Sequence, residues 1–164
     1  MNDLPIRKNI RLQGYDYSAA GYYFITICVK DRHELLGQIV GDAAFGVPSV
    51  KISEIGNIVK TRIENINNNP NCRIDKYVIM PNHIHLIIIV HNSNDGTPKA
   101  ASPTKTVIPQ IINALKSLVT KQIGYSIWQR SFNDRIIRGE DDYRRIWQYI
   151  NENPAKWAKD KYYK

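Results

Sequence analysis

Hydrophobic and polar positions alternate along the chain in ways that predict a short series of elements. Tyr22–Lys30 is dense in aromatic and β-branched residues and predicts a strand. Asp31–Leu36 turns the chain, and Gly37–Val50 carries Gly, Ala and Pro without a period, predicting no regular element. Ser53 is placed to cap a helix whose apolar positions Ile55, Ile58, Val59 and Ile63 follow helical spacing, and the run Asn67–Pro70 ends it. Two apolar runs, Arg73–Met80 and His83–Val90, flank Pro81-Asn82 and predict a hairpin. Residues 91–106 are polar and predict a flexible loop. Ile108, Ile111, Ile112, Leu115, Leu118 and Val119 form the apolar stripe of a helix over Ile108–Ile123, which Gly124 stops. A last strand is expected near Arg135–Arg138. A final helix follows from Glu140 to Asn153, ahead of Pro154 and a basic tail. Residues 1–14, with Arg7, Lys8 and Arg11, read as an extended basic arm.

The order strand, helix, strand, strand, helix, strand is the split βαβ pattern. It predicts an α+β, ferredoxin-like fold: an antiparallel sheet with two helices on one face and an extra C-terminal helix. The other sheet face is left for a ligand or for that last helix. A chain of 164 residues suits one domain spanning 1–164.

Composition narrows the classes. With 43% hydrophobic and 23% charged residues, the chain has the mix of a soluble globular protein. Its longest aliphatic run, Leu86–Val90, is far short of the roughly 20 residues a membrane span needs. The first residues lack the apolar stretch of a secretory signal. Cys28 and Cys72 stand alone and read as reduced thiols of a cytoplasmic protein. A net charge of +8 suits a polyanionic partner, of which nucleic acid is the commonest.

The clearest chemical signal is Pro81-Asn82-His83-Ile84-His85-Leu86. Strand residues two apart share a face, so His83 and His85 stand side by side while Ile84 and Leu86 point the other way. Two neutral imidazoles so placed can converge on one divalent ion. Left buried without partners, each would cost on the order of 1–3 kcal/mol. In the final helix, Tyr143, Ile146, Trp147 and Ile150 form the expected apolar stripe. Tyr149 falls roughly 110° from its centre, with Asn153 stacked beside it. Tyr149 is either a boundary tyrosine or a group reaching a cleft. Asn153, before Pro154, is either a helix cap or a functional amide.

These residues carry a resemblance. His83-Ile84-His85 resembles the His-hydrophobic-His pair of the HUH single-strand nucleases. Further stretches are similar to the IS200/IS605-type tyrosine transposases, especially their REP-associated branch. They are Tyr77 to Ile87, Leu115-Lys-Ser, Trp128-Gln-Arg, Ile136-Ile-Arg and Tyr149 to Trp157. The resemblance implies metal binding by His83 and His85, a nucleophilic Tyr149, and an amide-type third ligand at Asn153. The insertion-sequence enzymes usually carry Gln there, and relatives often carry His where this chain has Arg135. It also implies nicking and rejoining of single-stranded or hairpin DNA through a 5′-phosphotyrosine, with Mg²⁺ or Mn²⁺ on mixed N/O ligands. A homodimer is compatible with it.

Candidate DNA-binding residues are Lys116, Lys121, Arg130, Arg138, Arg144 and Arg145 for phosphate, with Trp128 as a stacking platform or a core residue. Two other readings compete. One is a non-catalytic nucleic-acid-binding module using an open sheet face, although no aromatic RNP-type strand is visible. The other is a metal-dependent hydrolase using water, although no Asp or Glu neighbours the histidines in sequence.

Overall fold

A computed structural model describes residues 20–41, 46–91 and 107–163. The basic arm expected at residues 1–14 and nearly all of the loop expected at 91–106 lie outside the described residues. Among the described residues, six strands and three helices occur in the order β1 (Gly21–Cys28), β2 (Gly37–Val40), β3 (Ser49–Ile52), α1 (Glu54–Asn65), β4 (Cys72–Met80), β5 (His83–Val90), α2 (Val107–Ile123), β6 (Asn133–Ile136) and α3 (Glu140–Glu152). A 3₁₀ segment, Pro154–Lys159, follows α3.

β4, β5, β1 and β6 form one sheet in that order, and every neighbouring pair is antiparallel. This is the ferredoxin-like strand order expected from the pattern. The period of two sorts each strand between two faces. Tyr23, Ile25 and Ile27 of β1 and Ile84, Leu86 and Ile88 of β5 are fully buried against Val59 and Ile63 of α1 and Ile108, Ile112 and Leu115 of α2. The opposite face carries Phe24, Ile87 and Val78, which pack on Ile146 and Ile150 of α3. Both faces are therefore covered. The open sheet that an RRM-type binding module would need is taken up by the last helix and the segment after it.

Local chemistry fixes where α1 begins. The Ser53 hydroxyl accepts from the Gly56 N–H at 3.0 Å and donates to the Leu35 carbonyl at 2.6 Å. Gly56 has no room for a side chain, since a Cβ there would lie 2.1 Å from the Leu36 carbonyl oxygen. Gly124, at φ 88°, supplies the left-handed residue that ends α2. Asp75 is the extra residue of a β-bulge in β4, and its carboxylate accepts from the Tyr143 hydroxyl at 2.5 Å. That bond ties the first turns of α3 to the sheet.

Two expectations are corrected. Gly37–Val50 contains an antiparallel hairpin, β2 with β3, whose Ile39 and Val50 pack on Cys28, Met80, Trp157 and Tyr162. The buried stripe of α3 is Asp142, Ile146, Ile150 and, one turn on, Asn153, while Trp147 is 38% exposed under the Lys76 ammonium 4.0 Å from its ring. On a 3.6-residue helix this stripe brings Tyr149 to about 55° from its centre, half the angle expected.

Candidate active site

β5 begins directly after the Pro81-Asn82 turn, so His83 and His85 occupy the end of a fully buried central strand. Both rings point to the α3 face, and their Nε2 atoms lie 3.1 Å apart. Each Nδ1 has a partner of its own. The Asn82 side chain donates its Nδ2 to two carbonyls, Tyr162 at 2.8 Å and Arg32 at 3.3 Å. This leaves Asn82 Oδ1 facing His83 Nδ1 at 2.8 Å. A carbonyl oxygen can only accept, so His83 Nδ1 carries the proton and its Nε2 bears a lone pair. Across the strand pair, Thr26 Oγ1 lies 2.8 Å from His85 Nδ1. A hydroxyl accepts or donates, so His85 can adopt the same tautomer.

Burial pushes both histidines down, His83 to about 4 and His85 well below its ordinary 6.5. They are neutral imidazoles at pH 7. A hydrogen-bond partner on each Nδ1 fixes the ring and leaves the Nε2 lone pair free to face a metal ion, as metal-ligating histidines are ordinarily held.

Tyr149 comes in from α3. Its hydroxyl is 3.4 Å from His85 Nε2 and 3.4 Å from Asp160 Oδ2. Phe24 braces it, stacking on His85 with centroids 5.2 Å apart and meeting the Tyr149 ring edge-on at 6.1 Å. The Tyr149 phenol is pushed up to about 12, chiefly by burial and then by the Asp160 carboxylate, while a hydrogen bond from Asn153 works the other way. Asn153 is 2% exposed, makes no side-chain cap, and turns its amide inward. Its Oδ1 is buried with no hydrogen-bond partner. The backbone after it does what the cap reading expected, with Pro154 opening the 3₁₀ segment.

The residues fit a divalent ion. Two Nε2 atoms 3.1 Å apart match adjacent ligands on an octahedral ion, whose bonds of about 2.1 Å put neighbours about 3.0 Å apart. A buried amide oxygen without a donor costs about 1–3 kcal/mol unless a cation or water satisfies it. Among the described residues the His, Cys, Asp and Glu side chains placed to share an ion are His83, His85 and Asp160, with ligand atoms within 4.8 Å of one another. Neither cysteine belongs to the group. Both are free and buried.

A cleft of about 390 Å³ opens over the site, lined by His85 and Tyr149 together with Arg135, Arg145 and Lys161. Asp142, 6% exposed at the foot of α3, accepts from Arg135 at 2.5 Å, from Arg145 at 3.5 Å and from the Arg138 backbone N–H at 3.1 Å. One carboxylate thus orients two guanidinium groups at the rim. The other candidate DNA-binding residues are dispersed. Arg144 pairs with Glu140 on the exposed side of α3. Lys116 is committed to the carbonyls of Gln129 and Ser131 at 2.9 and 3.0 Å. Lys121 is exposed on α2, on the sheet face away from Tyr149. Arg130 borders a second groove with Lys30 and Arg32. Trp128 also lines that groove, yet it is 6% exposed and packs in the main core.

Phe24, Arg135, Asp142 and Lys161 line the cleft and Asp160 stands beside Tyr149, and sequence reasoning gave none of them a role there. Asp160 lies 75 positions from His85 with no motif around it, so no sequence signal places it there. The objection that no carboxylate neighbours the histidines does not hold in space.

Residues 18–153 match the family described as "Transposase IS200 like". An uncharacterized protein of Haemophilus influenzae is 35% identical over 173 residues, covering 96% of this chain and 93% of that protein. A REP-associated tyrosine transposase bound to a REP hairpin superposes with a TM-score of 0.62 at 22% identity, over 87% of this chain and 71% of that one. A putative transposase from Deinococcus radiodurans R1 matches at 19% identity, with 87% and 98% coverage and a TM-score of 0.47.

Proposed function

The chain belongs to the IS200-like transposase family, and from that premise we propose that it nicks and rejoins single-stranded DNA with Tyr149 as nucleophile. The observation that carries this reading is the convergence of Tyr149, from a separate helix, on His85 Nε2 at 3.4 Å inside a cleft rimmed by Arg135, Arg145 and Lys161. Tyr149, 38% exposed, is open enough to meet a strand and buried enough to be held in one pose.

In the proposed reaction the Tyr149 oxygen attacks the scissile phosphorus in line. An O–P bond forms to the enzyme, the bond to the 3′ oxygen breaks, and the DNA leaves with a free 3′-hydroxyl. The phosphodiester is conserved as a 5′-phosphotyrosine, so attack by a second 3′-hydroxyl rejoins a strand without ATP. A divalent ion, Mg²⁺ or Mn²⁺ on His83, His85 and Asn153, would polarise the phosphate and offset its charge when bound. The chain's own groups supply the rest. Arg135 and Arg145 offer fixed guanidinium donors to phosphate oxygens, oriented by Asp142. Asp160 Oδ2, 3.4 Å from the phenol, accepts its hydrogen bond and orients it, and the proton leaves to solvent at the exposed side of Tyr149. Phe24 and Ile146 form apolar walls of the cleft and limit water beside the tyrosine. DNA is the expected partner, in single-stranded or hairpin form, like the REP hairpin bound by the structural relative.

The test offers the protein single-stranded oligonucleotides from both flanks of its own gene with Mg²⁺ or Mn²⁺, followed by a denaturing gel. We expect a covalent protein–DNA band that Tyr149→Phe and the His83→Ala/His85→Ala double variant both abolish. Cleavage by Tyr149→Phe at the wild-type rate would instead support a hydrolase using water. Binding without any adduct, on both flanks and with either metal, would support a non-catalytic module.

A further inference from the structure

Asp160 stands just beyond the 3₁₀ segment that follows α3, where the chain doubles back across the histidine pair. Several contacts hold it there. Its Oδ1 accepts from the Tyr162 N–H at 2.7 Å, closing a tight local turn. The Tyr162 ring lies over His83 with centroids 4.5 Å apart, and its carbonyl accepts from Asn82 Nδ2 at 2.8 Å. Arg32 donates to the Lys161 carbonyl at 3.3 Å. The turn is therefore fastened to the same Asn82 that sets the His83 tautomer. Asp160 Oδ2 is left directed at the site, where Tyr149 is its hydrogen-bonding neighbour.

Two imidazoles and the Asn153 amide are all neutral donors. A divalent hard cation held by neutral groups alone keeps its full charge in a buried place, whereas such ions are ordinarily bound through at least one carboxylate. Asp160 is the carboxylate within reach: its ligand atom and both Nε2 atoms lie within 4.8 Å of one another. The Asn153 amide lies beside the Tyr149 hydroxyl and leaves its Oδ1, 2% exposed, without a hydrogen-bond partner, which a cation or a water would satisfy.

We propose that Asp160 is an anionic ligand of the ion that His83 and His85 hold. The segment after α3 is then part of the metal site and not an appendage, and ion binding fastens that segment through Asp160. This inference rests on the metal-dependent reading above, and it can fail separately from it.

The experiment is calorimetric titration of Mn²⁺ into the full chain and its Asp160→Asn, His83→Ala/His85→Ala and Asp141→Asn variants. Thermal unfolding of each metal-free protein runs alongside. Asparagine keeps the acceptor for the Tyr162 N–H, so Asp160→Asn should unfold as the wild type does without metal. We expect its Mn²⁺ affinity to fall at least tenfold, with the exposed-site control Asp141→Asn unchanged and the double variant showing no binding. Wild-type affinity in Asp160→Asn, with binding still lost in the double variant, would overturn the role of Asp160 alone. Equal binding, or none, in wild type and double variant would overturn the metal reading and this inference with it. Should Asp160→Asn unfold early, titration of wild-type protein with diamagnetic Mg²⁺ decides: a carboxyl carbon shift of Asp160 that saturates together with the imidazole shifts of His83 and His85 supports ligation, and an unmoved carboxyl signal beside shifted imidazoles overturns it.

Discussion

At the scale of single residues, the site is governed by which atoms can carry protons. His83 and His85 are kept neutral by burial, and that has a consequence for stability. In the unfolded chain both take up protons as pH falls through about 6.5, whereas folded His83 does so only near 4 and folded His85 only well below its ordinary value. The unfolded state therefore binds more protons in this window, and folding stability drops as the pH falls through it. The slope is at most about 1.4 kcal/mol per pH unit for each histidine. Urea unfolding at pH 7, 6 and 5 should show this loss in wild type and a shallower one in His83→Gln/His85→Gln; parallel curves would remove the argument. Asp142 invites a second test. It is buried, orients Arg135 and Arg145 and accepts from the Arg138 backbone, so Asp142→Ala should cost about 1–3 kcal/mol and slow cleavage. A variant with wild-type DNA affinity and rate would show that the two guanidinium groups need no such support. The histidine pair was readable in the sequence because two polar rings interrupt an aliphatic strand. Asp160 was not, because its role comes from a turn that only tertiary contacts with Asn82 and Arg32 fasten in place.

Among elements, the pattern of apolar positions was legible wherever one period ran undisturbed. β4, β5, α1 and α2 begin and end within a residue or two of where their spacing puts them. The β2–β3 hairpin was missed because four-residue strands with one buried-side residue in two give too little periodicity to detect. For α3 the error was a rotation of the stripe. Sequence reasoning counts Trp147 as core and Asp142 as surface, yet Asp142 is buried by ion pairs reaching it from β6 and from α3 itself. That rotation is what carries Tyr149 into the cleft. It also sets a contrast in stability: Ile150→Ala, at a fully buried position, should cost about 2–5 kcal/mol. Trp147→Ala, against solvent and Lys76, should cost well under half as much. Chemical denaturation of the two variants distinguishes the observed stripe from the expected one, and equal losses would restore the latter. At the start of α1, Ser53→Ala should cost about 1 kcal/mol by leaving the Gly56 N–H without its cap.

For the molecule as a whole, the fold places helices α1 and α2 behind the sheet and the reactive groups in front. The +8 charge is then used unevenly. Arg135, Arg145 and Lys161 border the cleft, while Lys60 on α1 pairs loosely with Glu64 on the far side. Removing one phosphate contact from single-stranded DNA lowers the salt slope of log K by about 0.7. Arg145→Ala should show that change together with weaker binding, and Lys60→Ala should show neither. Fluorescence anisotropy across a salt series measures both, and identical slopes for the two variants would detach the cleft from DNA.

The central claim is that Tyr149 becomes covalently joined to DNA, and mass spectrometry of the trapped adduct tests it most directly. The wild-type protein would be incubated with a flanking single strand and Mn²⁺, digested with nuclease and protease, and searched for modified peptides. The account requires a nucleotide remnant linked through a 5′-phosphate to the tyrosine at position 149. A remnant on any other residue, or cleaved strands ending in a free 5′-phosphate with no modified peptide, would contradict it.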